Sequence, residues 1–148
     1  MELILRYKEF FELCRYDVNS LFHFSPPVGA SIQRGENIEY ERNWAQEALD
    51  FAFRVLKTEL MGFDSLEDFP TDQDVNRVFE QMANNAPSAA EGGAIWSTHQ
   101  LYLMAKGCDF IDAWLASGDD TLFGQKLIGI FNAHNVGFDK HSFYPVKY

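Results

Sequence analysis

The chain has 148 residues, 47% hydrophobic and 16% aromatic, with 22 acidic against 12 basic side chains and a net charge of −10. That length predicts one domain over 1–148, large enough to bury a core without disulfide or metal staples, and the apolar content argues against intrinsic disorder. A pI near 4.7 disfavours phosphate backbones and anionic membranes as partners and favours cationic ones.

Leu3, Tyr7, Phe10, Cys14, Val18 and Leu21 recur at three-and-four spacing, backed by Ile4, Phe11 and Phe22. The pattern predicts one long amphipathic helix, stopped at Ser25-Pro26-Pro27, with a loop through Gly29 and Gly35 after it. From about Asn37 to Met61, Trp44, Ala48, Phe51, Ala52, Val55 and Leu60 predict a second helix, with Glu39, Glu41, Glu47, Asp50 and Glu59 on its other faces and Gly62 as its C-cap. Phe63 to Pro70 reads as an acidic loop threaded with apolar side chains. Thr71 with Asp74 forms a relaxed capping box for a short helix through Val75, Val78, Phe79 and Met82, closed by Asn84-Asn85 and Pro87.

Ser88 and Glu91 have capping-box spacing, but Gly92-Gly93 lowers helix propensity, so the next helix is expected from Gly93 through Ala94, Thr98, Leu101 and Ala105 to Gly107. Asp109 is the expected cap of a short helix through Phe110, Ile111, Trp114 and Leu115 that stops at Ser117-Gly118. Asp119-Asp120-Thr121 opens the last helix, which runs through Phe123, Leu127, Ile128 and Phe131 to about His134; the tail from Asn135 to Tyr148 reads as irregular. No alternating β-branched run competes with these periods. The fold class expected is all-α, a single irregular bundle of five to six helices.

Chemical signatures are scarce. The residues three before His23, His99, His134 and His141 are Ser20, Trp96, Phe131 and Phe138, so none belongs to a Glu-x-x-His pair, and no HExxH is present. His134, Asp139 and His141 are a loose trio, short of the three or four supported ligands a metal needs. Cys14 and Cys108 lie 94 positions apart, outside any CxxC, and read as small buried hydrophobes. The carboxylate pairs Glu36/Glu39 and Asp64/Asp68 are what an acid-rich stretch produces by chance. Gly124 and Gly129 are followed by Ile130 and Phe131, not by the Lys and Ser/Thr of a phosphate loop, and read as helix-packing glycines. Catalytic residues, metal ligands and cofactors are therefore not expected, and the twelve scattered bases argue against direct nucleic-acid binding. Glu2, Arg6, Lys8 and Glu9 interrupt the opening apolar residues, and no apolar run approaches the ~20 residues that span a bilayer; no signal peptide or membrane contact is expected, and the location expected is cytoplasmic.

The acid is concentrated in one stretch. Residues 36–80 hold twelve carboxylates against four bases, a local charge of −8. Ile38, Tyr40, Trp44, Phe63, Leu66 and Phe69 are interleaved with Glu36, Glu39, Glu41, Glu47, Asp64, Glu67, Asp68, Asp72 and Asp74. Aromatic anchors inside a charged rim are the composition of an interface that associates quickly with an oppositely charged protein. The residues expected to meet a basic partner are Tyr40, Trp44, Glu47, Asp64, Glu67, Asp68, Phe69, Asp72 and Asp74. The competing bland reading puts Trp44 and Phe69 in the core and makes the acids a solubilising face.

In size, acidity and lack of catalytic motifs the chain resembles the immunity proteins that neutralise bacterial nuclease toxins, a resemblance of character that covers no alignable motif. It implies an inhibitor of a basic protein, with carboxylates on the toxin's phosphate-binding surface. Three other readings stand beside it: a phage-type nucleic-acid mimic, an enzyme using His99 or the His134/Asp139/His141 region, and an oligomeric adaptor that buries an apolar helix face.

Overall fold

The computed structural model describes residues 2–25 and 38–148. Glu36, the loop through Gly29 and Gly35 and the two prolines expected to stop the first helix lie outside the described residues, as does the side chain of Ile38.

The opening stripe forms α1 (Glu2–Cys14), which buries Ile4, Tyr7, Phe10, Phe11 and Cys14. It ends well before the Leu21 expected from periodicity. The Asp17 carboxylate accepts the Val18 N–H at 2.8 Å, and Asn19 exchanges backbone hydrogen bonds with Leu101 at 3.0 and 2.8 Å. Short polar side chains and a partner strand thus satisfy backbone that a helix would otherwise have used. A single 3₁₀ turn, Leu21–Phe24, then returns Leu21 and Phe24 to the core.

α2 (Ile38–Lys57) is the central element, and its Ala45, Ala48, Leu49, Phe51, Ala52 and Val55 are all buried. Its end differs from expectation. Glu59 takes the left-handed conformation (φ 59°) and the Leu60 N–H reaches back to the Val55 carbonyl at 3.0 Å. Gly62 is no cap; it lies in β1 (Met61–Phe63), antiparallel to β2 (Leu101–Leu103) and directly opposite Tyr102. Three-residue strands are too short to print a period of two, which is why neither showed in the sequence.

α3 (Asp72–Ala83) opens as expected, with the Thr71 hydroxyl accepting the Asp74 N–H at 3.2 Å. α4 (Ala90–Thr98) begins before Gly93, and Gly92 in its first turn lies where a Cβ would overlap the Ala86 carbonyl oxygen, so this glycine serves packing. The stretch from Leu101 to Gly107, expected to continue that helix, is instead β2 followed by α5 (Ala105–Phe110), which widens into a π turn over Ile111–Leu115. α6 (Asp120–Ala133) is capped by Asp119, whose carboxylate accepts the Leu122 N–H at 3.0 Å. Gly124 lets it approach α1, since a Cβ there would meet the Ile4 side chain at 3.0 Å, whereas Gly129 faces open space. The described residues thus form a mostly helical fold, six α-helices with one two-stranded sheet.

Gly107 lies inside α5, where a Cβ would overlap the Leu60 carbonyl oxygen and press on Leu103. Backbone cannot rotate away as a side chain can. Gly107→Ala is therefore expected to lower stability by about 2 kcal/mol despite alanine's better helix propensity, measured by urea denaturation. A stabilised variant would show that α5 does not pack this closely.

Candidate functional site

The nine residues expected to meet a partner do not form one surface. Tyr40, Trp44 and Glu47 lie on the first half of α2 and line a cleft of about 590 Å³ with Arg6 and Leu13 of α1 and with His23. Trp44 is half-buried there, its ring edge-on to Trp96 at 5.8 Å and tilted against Phe22 at 6.2 Å. Glu47 pairs with Arg6, which also donates to the Phe24 carbonyl and lies 5.2 Å from the Phe24 ring. This group is largely committed to internal contacts. Glu41, counted with the acidic block, is 7% exposed and accepts the Ser88 N–H at 3.3 Å, and Asp50 is likewise buried. The solvent-facing acid is thus smaller than composition implies.

Asp68, Phe69 and Asp72 line a second depression of about 350 Å³ at the other end of α2. From Trp44 to Lys57 the helix rises about 20 Å, at ~1.5 Å per residue, which separates the two groups. The floor of this groove is apolar: Phe53 and Leu56 from α2, Met61 and Phe63 from β1, Val75 from α3, and Met104. Its rim carries Glu59, Asp68 and Asp72 against the single cation Lys57. Phe69 stands on the edge, 75% exposed. Among the described residues, Glu67, Asp68 and Asp72 pair with no basic side chain; Glu59 does, with Lys106 at 3.3 Å. Asp64 and Asp74 are occupied locally, Asp64 accepting the Gln100 N–H at 3.2 Å and Asp74 lying 3.6 Å from Arg77.

Tyr102 fixes the rim. Its hydroxyl donates to Asp68 Oδ1 at 2.7 Å, and burial together with that carboxylate pushes the phenol up to about 12. The ring lies across β1 over Gly62, where a Cβ would meet the Tyr102 hydroxyl at 3.1 Å. A glycine opposite a tyrosine in a two-stranded sheet therefore holds one carboxylate of the acidic loop in place. Periodicity could not reveal this, because it depends on strand pairing between segments forty residues apart.

The histidines separate. His134 Nδ1 lies 3.0 Å from the Ile130 carbonyl and His141 Nδ1 3.3 Å from Ser142 Oγ, and among the described residues no three His, Cys, Asp or Glu side chains gather as a metal site would require. Cys14 is buried, and burial pushes its thiol up to about 12; Cys108, expected to be buried, is exposed. His99 is the most constrained. It is buried beside Phe63, with Nδ1 2.7 Å from Ser65 Oγ and Nε2 3.3 Å from Gln81 Oε1. With Nε2–H donating to Gln81, Nδ1 is left to accept from Ser65.

Burial lowers the His99 pKa from its ordinary 6.5, partly opposed by the Asp64 carboxylate. The unfolded chain therefore binds this proton more readily, so stability from this site is present above about pH 6.5 and is lost as pH falls below it. His99→Gln is expected to flatten the decline in melting temperature between pH 7 and 5. An unchanged profile would contradict a buried neutral imidazole.

Fold and surface together define a small helical protein that carries an acid-rimmed apolar groove, and no helix among the described residues is long and apolar enough to cross a membrane. Compared with family models, with curated proteins and with solved structures, the chain matches none.

Proposed function

We propose that this protein is a small acidic inhibitor that binds a basic protein, most concretely an immunity protein neutralising a nuclease-type bacterial toxin. The observation that carries the reading is Phe69, 75% exposed among Glu67, Asp68 and Asp72, three acids without a basic partner among the described residues. A solubilising face needs the charges but not an exposed phenylalanine over an apolar groove; a hot-spot anchor inside a charged rim needs both. Carboxylates of this kind compete for the surface with which a nuclease holds phosphate, and a phage-type nucleic-acid mimic would use the same chemistry on a different target.

The test is capture from the source cell's lysate on wild-type protein and on Glu67→Lys/Asp68→Lys/Asp72→Lys, at low and high salt, with mass-spectrometric identification. The reading predicts a basic nucleic-acid-handling protein held by the wild type, released as salt rises and missing from the variant. Equal capture by both baits would exclude the acidic face.

A second reading rests on one specific contact, Ser65 Oγ at 2.7 Å from a neutral His99 backed by Gln81. A serine hydroxyl hydrogen-bonded to an oriented imidazole is the arrangement a hydrolytic nucleophile requires. It predicts that a fluorophosphonate probe labels Ser65 in the wild type and not in His99→Gln. No labelling in either assigns the pair to holding the acidic turn against α3.

A further inference from the structure

Resting on the inhibitor reading, we propose that the groove at the end of α2 receives a long cationic side chain, arginine or lysine, carried by an apolar stretch of the partner. At about 350 Å³ the depression is at the low end of ligand-sized cavities, with room for a side chain or two. Its chemistry is layered in the same order as such a side chain. Phe53, Met61, Val75 and Met104 offer an apolar floor to the methylene stem, while Asp68 and Asp72 at the rim await the charge.

Four observations make the complementarity specific. Of the three rim carboxylates Glu59 is paired with Lys106, which leaves Asp68 and Asp72 against the ammonium of Lys57, so an anionic or neutral occupant gains nothing from the rim. Lys57 already lies with its ammonium 5.5 Å from the Phe53 ring centroid, which shows that this floor accommodates a cation. Asp68 is held at one oxygen by Tyr102, leaving the other to accept, and Asp72 sits in the first turn of α3 on the same rim. Phe69 closes the edge beside Asp68 and supplies the face on which a guanidinium can stack. Tyr102 is a positioning residue here: it touches the rim, not the occupant.

The experiment uses the full chain with 13C-labelled methionine methyls and three capped hexapeptides: alternating Leu and Arg, alternating Leu and Glu, and alternating Gly and Arg. The Leu/Arg peptide is expected to shift the Met61 and Met104 methyls, to bind at least tenfold more weakly to Asp68→Asn/Asp72→Asn, and several-fold more weakly to Tyr102→Phe. Both variants are checked for native structure by circular dichroism. The Leu/Glu peptide is expected to give no shift, and the Gly/Arg peptide a weaker one. Shifts confined to other methyls, or indifference to both variants, would overturn the groove assignment. If that happens while Glu67→Lys/Asp68→Lys/Asp72→Lys still loses its captured partner, the acidic face binds by another geometry and only the groove falls; if capture is also unaffected, the inhibitor reading falls with it.

Discussion

Replacing Arg54 by methionine is expected to cost about 3–5 kcal/mol of folding stability, the largest effect of any single substitution considered. Arg54 is 3% exposed in the last turn of α2, and its guanidinium gathers the irregular tail. Nε donates to the Val136 carbonyl at 2.9 Å, Nη2 to the carbonyls of Gly137 (3.4 Å) and Lys140, and Nη1 to the Tyr7 hydroxyl at 2.8 Å. The charge also lies 4.7 Å from the Phe138 ring and 5.3 Å from that of Phe143. Methionine fills much of the space but leaves the buried Tyr7 phenol and the Val136 and Lys140 carbonyls without this donor, while the Gly137 carbonyl keeps the Lys140 N–H at 3.0 Å. Burial pushes the Tyr7 phenol up against the opposing pull of Arg54, so the hydroxyl stays a neutral hydrogen-bonding group at any moderate pH.

One turn earlier, buried Asp50 accepts the N–H groups of Ser142 (2.9 Å) and Phe143 (3.2 Å). Asp50 and Arg54 together clasp a segment with no regular structure, and Phe143 stacks on Phe53 at 4.4 Å beside them. Arg54→Lys keeps the charge but cannot reproduce a planar fork with four acceptors, so it should recover only a small part of the loss. Urea denaturation of the three proteins checks this. A loss under about 1 kcal/mol for Arg54→Met would show that the tail is held by its aromatic contacts alone.

The second large effect is on binding. Glu67→Lys/Asp68→Lys/Asp72→Lys moves the net charge from −10 to −4 and places three ammonium groups where the partner's cations are proposed to arrive. Affinity for a basic partner is expected to drop at least a hundredfold, through both a slower encounter and direct repulsion. Folding should change by only about 0.5 kcal/mol at exposed Glu67 and Asp72, and by about 1 kcal/mol at Asp68, which is exposed but also accepts the Tyr102 hydroxyl. A variant that unfolds would place these acids in the fold rather than on a docking face, and one that binds unchanged would remove them from the interface.

Where periodicity was long, the sequence was legible. α2, α3 and α6 follow their apolar stripes, and the Thr71 and Asp119 caps lie where short oxygen-bearing side chains precede an apolar run. What failed was the segment from Leu101 to Gly107, where helical spacing among Leu101, Ala105 and their neighbours arose in a chain that pairs Leu101–Leu103 with β1. The same pairing removed Val18 and Leu21 from the first helix, because Asn19 hydrogen-bonds Leu101 from the other side. Long-range backbone pairing leaves no trace in local spacing.

The candidate site was legible only in part. Charge density pointed to Asp68, Phe69 and Asp72, which do come together, but gave no means of separating them from Tyr40, Trp44 and Glu47 at the far end of α2. Nor could it separate buried Glu41 and Asp50 from solvated acid. Asp50 and Arg54, four residues apart among Phe51, Ala52 and Val55, were the available signal: opposite charges on an otherwise apolar helix face are buried in order to hold something.

Whether the acidic face makes the contact is decided by the salt dependence of affinity between the purified protein and its captured partner, compared with that of the triple lysine variant. If exposed acids at the groove make the contact, wild-type affinity falls steeply between 50 and 300 mM salt (about tenfold or more), and residual binding by the variant is flat with salt. Parallel salt curves for the two proteins would mean that the partner is held by a surface other than Glu67, Asp68 and Asp72.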